Sequence, residues 1–490
     1  MLGKNNIPSV SDLFAADPDR GRRFCVRQSS WLFDYSRLPL TDAHCDELWQ
    51  LPERARLGEA VERLFAGELV NPSESQPALH MALRASDPAT FPGAGAELVE
   101  QRDRFLELAG HWHDGEGGFD DLLHIGIGGS DLGPRLVAEA LDADTSKLRV
   151  HWLSTLDGRR LARLLASLDP DRTGVVIASK SFSTEETLTQ AVAVRDWLGE
   201  RFAERAWAAT ARPDRAVDFG IAPASVLPFP AWTGGRFSLW SSVGVSAAAC
   251  IGPARFSELL AGAAAADHSF RAGAGSGEGL ATGLALAMHW LRRGLDLPTL
   301  GFVSYEPRLA LLGDYLQQLI MESLGKSVDS GGGEIDAPTA PLIFGGRGTD
   351  LQHSIFQALH QGPDTHPLVL VGSLNDDHAF PGWHRTQLAH LLAQARALTD
   401  GRQTGQAHQR MPGNRPVSLL LTERLTPAAL GELLAGFEHA VYALSVLWGI
   451  NPFDQWGVEE GKRLAGKIRP TLEGVDRLDD LQNLPGGPCG

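Results

Sequence analysis

Cysteine is scarce in this 490-residue sequence, and the few cysteines are not arranged for crosslinking or metal binding. Cys25, Cys45, Cys250 and Cys489 are scattered, with no Cys-x-x-Cys pair and no histidine at a zinc-ligand spacing. This pattern is typical of reduced thiols in a cytosolic protein. No His-Glu-x-x-His or comparable ligand spacing occurs either, so the sequence predicts no metal site.

Long basic runs and long apolar runs are also missing. The net charge is −16 and lysine and arginine do not cluster, which argues against a nucleic-acid partner. An acidic protein that binds an anion must do so through a local pocket rather than a global field. The N-terminus has no apolar signal-peptide core, and no window approaches the roughly 18 apolar residues of a membrane span. The sequence therefore predicts a cytoplasmic protein without a membrane partner.

What the sequence does contain is a repeated alternation of short apolar runs and helical periods. Residues 1–95 have the pattern of helices and loops and end at the turn-rich FPGAGAE. From residue 120, runs such as DLLHIGIGG and GVVIASKS are each followed by a helical period. A second block of the same kind follows the Gly/Ala/Ser-rich stretch at 270–279. The alternation predicts an α/β fold with two αβα domains built on parallel sheets, preceded by a helical N-terminal segment.

Residues 179–187, SKSFSTEET, place five hydroxyl side chains and a lysine between an apolar run and a helical pattern. Helix N-termini carry unpaired N–H groups and a partial positive charge, so this stretch is suited to binding a phosphate. Serine and threonine are also ordinary helix caps, and a cap without a ligand would explain the same residues. The stretch alone leaves both interpretations open.

The stretch GIGGSDLG (126–133) approaches a dinucleotide-binding fingerprint but departs from it. Asp131 stands where the third glycine of G-x-G-x-x-G is needed, and its carboxylate would repel a pyrophosphate. A hydride-transferring oxidoreductase is therefore disfavoured. A single phosphate held by Gly129 and Ser130 is compatible with the sequence, as is a strand-to-helix turn with no ligand.

Two further stretches carry candidate groups for acid–base chemistry. Arg236 follows two glycines in TGGRFSLWSSVG, and its planar cation suits a developing oxyanion, although a surface arginine would look the same. Gln318 and Glu322 are four residues apart in a helical pattern and share one face. A half-buried Glu322 would suit proton transfer, and the alternative is a solvent-facing helix-end glutamate.

The last two candidates lie toward the C-terminus. His353, Gln357 and His360 are spaced to share one face of a predicted helix, with Asp350 as a cap or first-turn acid. Lys462 lies on a predicted helix that follows Pro452 and two aromatic residues. A core or surface histidine and a solvated lysine are the respective alternatives.

Taken together, these stretches resemble the phosphoglucose isomerase family of SIS-domain sugar isomerases. Six motifs occur in the family's order: GIGGSDLGP (126–134), SKSFSTEET (179–187), GGRFSLWS (234–241), MESLGK (321–326), GTDLQHS (348–354) and FDQWGVEEGK (453–462). The resemblance implies two unequal SIS-type αβα domains, at 96–269 and 270–470, with a tail at 471–490. It also implies a homodimer with the active site at the subunit interface, and no metal or organic cofactor.

The family's reaction is the reversible aldose–ketose isomerisation of glucose 6-phosphate and fructose 6-phosphate through a cis-enediolate. By resemblance, Glu322 is the general base, Arg236 stabilises the enediolate, and His353 and Lys462 assist ring opening. The substrate-binding residues implied by the motifs are Gly129, Ser130, Ser179, Lys180, Ser181, Ser183, Thr184, Gln318 and Glu186. Glu186 matches an acid near the site that orients the histidine.

Several positions depart from the family pattern. They are Glu185, Leu324, the pair Gly346-Arg347, and Glu460, which replace glutamine, asparagine, an acid-proline pair and leucine respectively. These changes bear on rate and substrate preference more than on reaction type. Three alternatives stay open: an isomerase that also accepts mannose 6-phosphate, a noncatalytic SIS-type sugar-phosphate sensor, and the disfavoured nucleotide-dependent oxidoreductase.

Overall fold

The computed structural model describes residues 7–141, 146–472 and 475–476, and its contacts divide the chain into two units, Met1–Pro452 and Phe453–Gly490. The strands are β1 (Cys25–Gln28), β2 (Trp31–Arg37), β3 (Asp121–Ile125), β4 (Arg149–Leu153), β5 (Thr173–Ala178), β6 (Ala206–Thr210), β7 (Val226–Pro228), β8 (Thr299–Ser304), β9 (Leu342–Arg347), β10 (Leu368–Ser373) and β11 (Val417–Thr422).

The α-helices are α1 (Val10–Ala16), α2 (Arg20–Arg23), α3 (Asp42–Trp49), α4 (Leu51–Arg54), α5 (Leu57–Phe65), α6 (Glu97–His113), α7 (Leu132–Leu141), α8 (Gly158–Ser167), α9 (Glu185–Leu198), α10 (Phe202–Arg205), α11 (Pro213–Phe219), α12 (Val245–Ile251), α13 (Pro253–Gly273), α14 (Leu280–His289), α15 (Leu312–Leu324), α16 (Gly348–Gln352), α17 (Phe356–Gln361), α18 (Pro381–Asp400), α19 (Pro427–Trp448) and α20 (Trp456–Ile468). Two short 3₁₀ helices, Gly128–Ser130 and Gly235–Trp240, lie near the candidate site.

The first sheet has the order β4-β3-β5-β6-β7 and all of its neighbouring strands are parallel. Every residue of β3 and β5 is buried, as expected for central strands covered on both faces. The chain passes from β3 to β4 on one side and then returns to β5 on the other. In such sheets ligands bind at this topological switch point, outside the carboxyl ends of the two strands.

The second sheet has the order β1-β2-β11-β10-β8-β9. Strands β8 to β11 are parallel and repeat the first sheet's arrangement, so a second switch point lies between β8 and β10. The α/β prediction with parallel sheets is thus confirmed. Strands β1 and β2 form an antiparallel hairpin on the edge of this sheet, with β2 paired to β11.

That hairpin belongs to the N-terminal segment, which the sequence predicts to be helical. The segment does contain α1 to α5, but β2 alternates buried and half-exposed side chains, with Trp31 and Phe33 in the core. The turn between the strands is only two residues long, and Ser29 adopts φ +41° there. Asparagine or glycine usually marks such a turn, so a serine pair gives no hairpin signal.

Helices α13 and α19 form the buried helical centre of the first unit. Glycines bring the two backbones together, since a Cβ on Gly431 would lie 2.0 Å from the Leu259 carbonyl oxygen. Helix α19 is long and apolar enough to cross a membrane, but 89% of its apolar window is buried inside the protein. The predicted boundary at residue 270 falls inside α13, and the connection to α14 follows Gly273.

Candidate active site

Two loops meet the first switch point, residues 126–131 after β3 and residues 179–184 after β5. The first loop packs directly on the 3₁₀ helix that carries Arg236. A Cβ at Gly129 would lie only 1.9 Å from the carbonyl oxygen of Gly235, so no other residue fits without moving the backbone. The Ser238 hydroxyl, on the same 3₁₀ helix, donates to the Gly235 carbonyl at 2.7 Å.

The second loop holds its hydroxyl groups close to one another at the start of α9. Ser179 Oγ lies 3.2 Å from Thr184 Oγ1, and Ser183 Oγ donates to Ser181 Oγ at 2.9 Å. Thr184 occupies the N-cap position, but its side chain makes no capping hydrogen bond. Phe182 adopts φ +45°, a strained conformation for a bulky residue, with its ring buried. The Thr184 hydroxyl is therefore not consumed by capping the helix.

Lys180 links this loop electrostatically to the rest of the site. Burial lowers the pKa of its ammonium group, the carboxylate of Glu74 opposes this, and the positive charge of Arg236 lowers the pKa further. A bound anion would raise the pKa again by offsetting both effects. Lys180 thus places an ammonium group within electrostatic reach of Arg236 and Glu74.

Arg236 is buried, with 3% of its surface exposed, and hydrogen bonds hold its guanidinium in place. Its Nε donates to Ser323 Oγ at 2.7 Å, its Nη1 to Glu322 Oε2 at 3.3 Å, and its Nη2 to the Pro452 carbonyl. The planar fork cannot rotate without losing these bonds. A permanent positive charge therefore lies in a fixed position beside the Glu322 carboxylate.

Glu322 receives a second hydrogen bond along α15, from Gln318 Nε2 to its Oε1 at 3.3 Å. Gln318 in turn lies against the first loop, because a Cβ on Gly128 would be 2.8 Å from Gln318 Nε2. The Glu322 side chain keeps 27% of its surface exposed. An oriented carboxylate that still reaches solvent is suited to exchanging a proton with a bound substrate.

A comparison with known protein families covers most of the chain. The family profile described as "Phosphoglucose isomerase" matches residues 34–483. The chain belongs to the phosphoglucose isomerase family. The resemblance stated from six short motifs is confirmed by a match that covers most of the chain.

Similar proteins span nearly the same length. A glucose-6-phosphate isomerase of Xanthomonas axonopodis pv. citri (strain 306) is 42% identical over 480 residues, covering 96% of this chain and 94% of the relative. One of Stenotrophomonas maltophilia (strain R551-3) is 44% identical over 473 residues, covering 96% and 93%. The crystal structure of a Chlamydia trachomatis glucose-6-phosphate isomerase superposes with a TM-score of 0.87 at 31% identity, covering 95% of this chain and 93% of that one.

The stretch that contains His353 does not form the single helix that the sequence predicts. The sequence predicts one helix with His353, Gln357 and His360 on a common face, but α16 ends at Gln352 and α17 begins at Phe356. The prediction of one continuous face is therefore wrong. The His353 amide closes a short turn onto the Asp350 carbonyl at 3.1 Å, which interrupts the helix. His353 is exposed, whereas His360 Nε2 is bonded to Gln394 Oε1 at 2.8 Å.

Lys462 belongs to the second unit, Phe453–Gly490, where it lies on α20. Its Nζ donates to Glu459 Oε1 at 3.0 Å. Glu460, one of the departures from the family pattern, is bonded instead to Arg463, whose Nε donates to Glu460 Oε2 at 2.7 Å. The Lys462 ammonium is thus paired with Glu459. Most of the predicted tail, 471–490, lies outside the described residues.

The remaining departures are placed as follows. Leu324 is fully buried in the core, Glu185 is exposed in the first turn of α9, and Gly346 and Arg347 end β9. Burial raises the pKa of Asp131 to about 6, against the nearby charge of Arg135.

Two residues at the site, Ser323 and Glu74, were not predicted from the sequence. Ser323 accepts a hydrogen bond from Arg236 and holds it in place. Because Ser323 directly follows the candidate base in MESLGK, its position in the sequence could have indicated a role at the site. Glu74, which acts on Lys180, comes from the turn NPSES in the N-terminal segment. Nothing in the sequence pattern connects that turn to the site. Among the described residues, no cluster of three or more His, Cys, Asp or Glu side chains could hold a metal ion.

Proposed function

We propose that this protein catalyses the reversible isomerisation of glucose 6-phosphate and fructose 6-phosphate, with Glu322 as the general base. The observation that carries the proposal is the Glu322 carboxylate, which is oriented by Gln318 and lies 3.3 Å from the buried cation of Arg236. The names of the relatives, which cover nearly the whole chain, support the same reaction.

The substrate phosphate binds at the first switch point in this proposal. Gly129 and Ser130 offer the turn after β3, and the loop after β5 offers the hydroxyls of Ser179, Ser181, Ser183 and Thr184 together with the Lys180 ammonium. Phosphate binding remote from the reacting carbons supplies energy that positions C1 and C2. The Gly128 contact with Gln318 places this loop next to the helix that carries the base.

The chemistry is a proton transfer between neighbouring carbons. The Glu322 carboxylate takes the proton from C2 of the open-chain aldose, the C–H electrons form the C1=C2 bond, and the C1=O π electrons move to O1, which gives the cis-enediolate. Glu322 then returns the proton to C1, and the O2–H proton passes to O1 as the C2=O bond forms. Arg236 provides a fixed positive charge next to the developing oxyanion. One such preorganised donor typically contributes about 10²–10³ in rate. Nothing in this proton transfer requires a metal or an organic cofactor.

Ring opening needs two further proton-exchanging groups, and we assign them to His353 and Lys462. His353 is exposed on its own chain, which supports a role in the site of a second copy. The active species is then a homodimer with the site at the subunit interface, acting in the cytoplasm, and Glu186 helps to orient the histidine. Activity should disappear on dilution to the monomer, and a fully active monomer by light scattering would contradict this.

The direct test is a coupled isomerase assay on purified protein, with fructose 6-phosphate and mannose 6-phosphate in parallel. Glu322→Gln should lower kcat by about 10²–10⁴, the usual contribution of general base catalysis. Glu258→Gln, at an exposed position of α13, is the matched control and should keep full activity.

Each other outcome has a definite meaning. Full turnover by Glu322→Gln would remove the base assignment. Binding of fructose 6-phosphate without turnover by the wild type would favour the sugar-phosphate sensor. Comparable turnover of mannose 6-phosphate would show the broader isomerase.

A further inference from the structure

A buried histidine behind the first loop has no part in the reaction proposed above. His124 is the next-to-last residue of β3 and is completely buried. Both of its ring nitrogens are within hydrogen-bonding distance of a partner. Nε2 is 2.7 Å from the Ser130 carbonyl oxygen, and Nδ1 is 2.8 Å from the hydroxyl oxygen of Ser246 on α12.

The chemistry of these partners fixes which nitrogen carries the proton. A carbonyl oxygen can only accept, so Nε2 of His124 must carry the hydrogen and donate to Ser130. The other nitrogen of a neutral imidazole is then an acceptor, and the Ser246 hydroxyl donates to it. Burial lowers the pKa of His124 to about 4, although the bond to Ser130 opposes this, so the ring is neutral near neutral pH.

The group that His124 holds belongs to the candidate phosphate loop. Ser130 ends the turn Gly128–Ser130, and its carbonyl is pulled back toward β3, where a Cβ on Gly126 would lie 2.5 Å from it. The Ser130 carbonyl and the Asp131 amide belong to the same peptide plane, and this amide donates to the Gly128 carbonyl at 3.0 Å. The shape of the turn thus depends on the direction of the Ser130 carbonyl.

We propose that His124, whose ring is held on its other side by Ser246, is a positioning residue that sets the geometry of the phosphate-binding turn at Gly129 and Ser130. This inference rests on the proposed binding of phosphate by that turn. His124 touches neither the substrate nor the reacting carbons, and it acts through the backbone of Ser130. The expected consequence is a change in phosphate affinity and KM, with kcat largely retained.

The opposing explanation is that His124 only fills space in the core. Its ring also packs against Trp152, with the centroids 4.7 Å apart. A purely structural role predicts a lower melting temperature for any substitution, in proportion to the lost packing, and no specific change in phosphate binding. The two explanations separate when the size of the ring is kept and only the hydrogen bond is removed.

The experiment compares three variants by their dissociation constant for inorganic phosphate, measured by calorimetry, and by KM and kcat. His124→Phe keeps a ring but loses the donor, and should weaken phosphate binding about 3- to 10-fold, the size expected for one lost hydrogen bond. His124→Gln keeps an N–H donor near the Nε2 position and should restore most of the affinity. Ser246→Ala removes the hydroxyl that holds Nδ1 of the ring, while the Ser130 carbonyl still fixes the tautomer, and should give a smaller loss in the same direction.

The outcomes are separable from those of the proposed function. Equal phosphate affinity in His124→Phe and wild type, or equal losses in His124→Phe and His124→Gln, would overturn the positioning role. If the wild type shows no isomerase activity but the phosphate constants follow the predicted order, the inference stands and the proposed reaction falls. If His124→Phe does not fold, Ser246→Ala supplies the test, and an unchanged phosphate constant there contradicts the proposal.

Discussion

The two parallel sheets offer the same crevice twice, and the protein fills the two crevices differently. At the switch point between β3 and β5, the loops present the hydroxyls of Ser179 and Thr184, with the Glu322–Arg236 pair nearby. At the switch point between β8 and β10, a carboxylate of the protein itself occupies the crevice. The same topology thus gives one crevice suited to a ligand and one that is closed.

The closed crevice is centred on Glu306, which is 5% exposed. Arg308 Nε donates to its Oε1 at 2.9 Å, and the hydroxyl of Ser373 donates to its Oε2 at 2.6 Å. Burial by itself would raise the pKa of Glu306, but the bonds from Arg308 and Ser373 outweigh it and hold the pKa below its usual value. An internal anion therefore lies among a hydroxyl and a cation, the kinds of group with which we propose the first crevice binds a phosphate.

This difference teaches that strand order supplies the place for a site, while individual side chains decide whether it is available. Substitutions in the open crevice should change catalysis with little effect on stability. Substitutions in the closed crevice should change stability with little effect on catalysis.

The largest expected effect comes from exchanging the arginine of each crevice for lysine. Arg236→Lys should lower kcat by about 10²–10³, because one ammonium cannot replace a fork held by Ser323 and Glu322. Arg308→Lys is the matched control and should retain wild-type kcat. Steady-state kinetics on both variants checks this, and a similar loss of kcat in the two would remove the distinction between the crevices.

The next effect is on stability. Glu306→Ala leaves Arg308 and Ser373 without their shared acceptor and should lower the free energy of unfolding by about 2–3 kcal/mol, since Arg308 keeps its 2.6 Å bond to Asp377. Urea unfolding followed by circular dichroism measures this. The folded variant should keep wild-type kcat, and a large loss of turnover per folded molecule would show that the second crevice takes part in catalysis.

A smaller effect separates the two serines. Ser179→Ala removes a hydroxyl of the open crevice and should raise KM for the sugar phosphate about 10-fold, the size of one hydrogen bond to a charged group. Ser373→Ala removes the hydroxyl bonded to Glu306 and should leave KM unchanged while lowering the melting temperature. An unchanged KM in Ser179→Ala would argue that the loop after β5 does not bind the phosphate.

The smallest effect is a pH dependence of stability. Because the folded-state pKa of Glu306 lies below its unfolded value of 4.5, its contribution is complete above about pH 4.5 and is lost as the pH falls through the folded value. The stability difference between wild type and Glu306→Gln should therefore stay constant from pH 7 to about pH 4.5 and shrink as the pH falls further. A stability difference that grows toward low pH would mean that folding raises the pKa of Glu306 rather than lowering it.

Much of the fold follows from local pattern. The apolar runs that become β3 and β5, and the helical periods after them, were enough to predict parallel sheets with covering helices. The hairpin of β1 and β2 was not predicted, because its turn lacks the usual residues and its partner, β11, is almost 400 residues away in the sequence. The broken helix at His353 was missed since spacing alone cannot show an interruption.

The sequence by itself determined which side chains are available, since motifs such as SKSFSTEET and MESLGK and the strand–helix alternation are local properties of the chain. Only the tertiary structure decided which of them meet. Arg236 and Glu322 are 86 positions apart, and their contact, like the contribution of Glu74 at Lys180, depends on how buried elements pack. The closing of the second crevice by Glu306 has the same origin: the carboxylate is held there because Arg308 and Ser373 offset the cost of its burial, and that balance exists only in the folded protein.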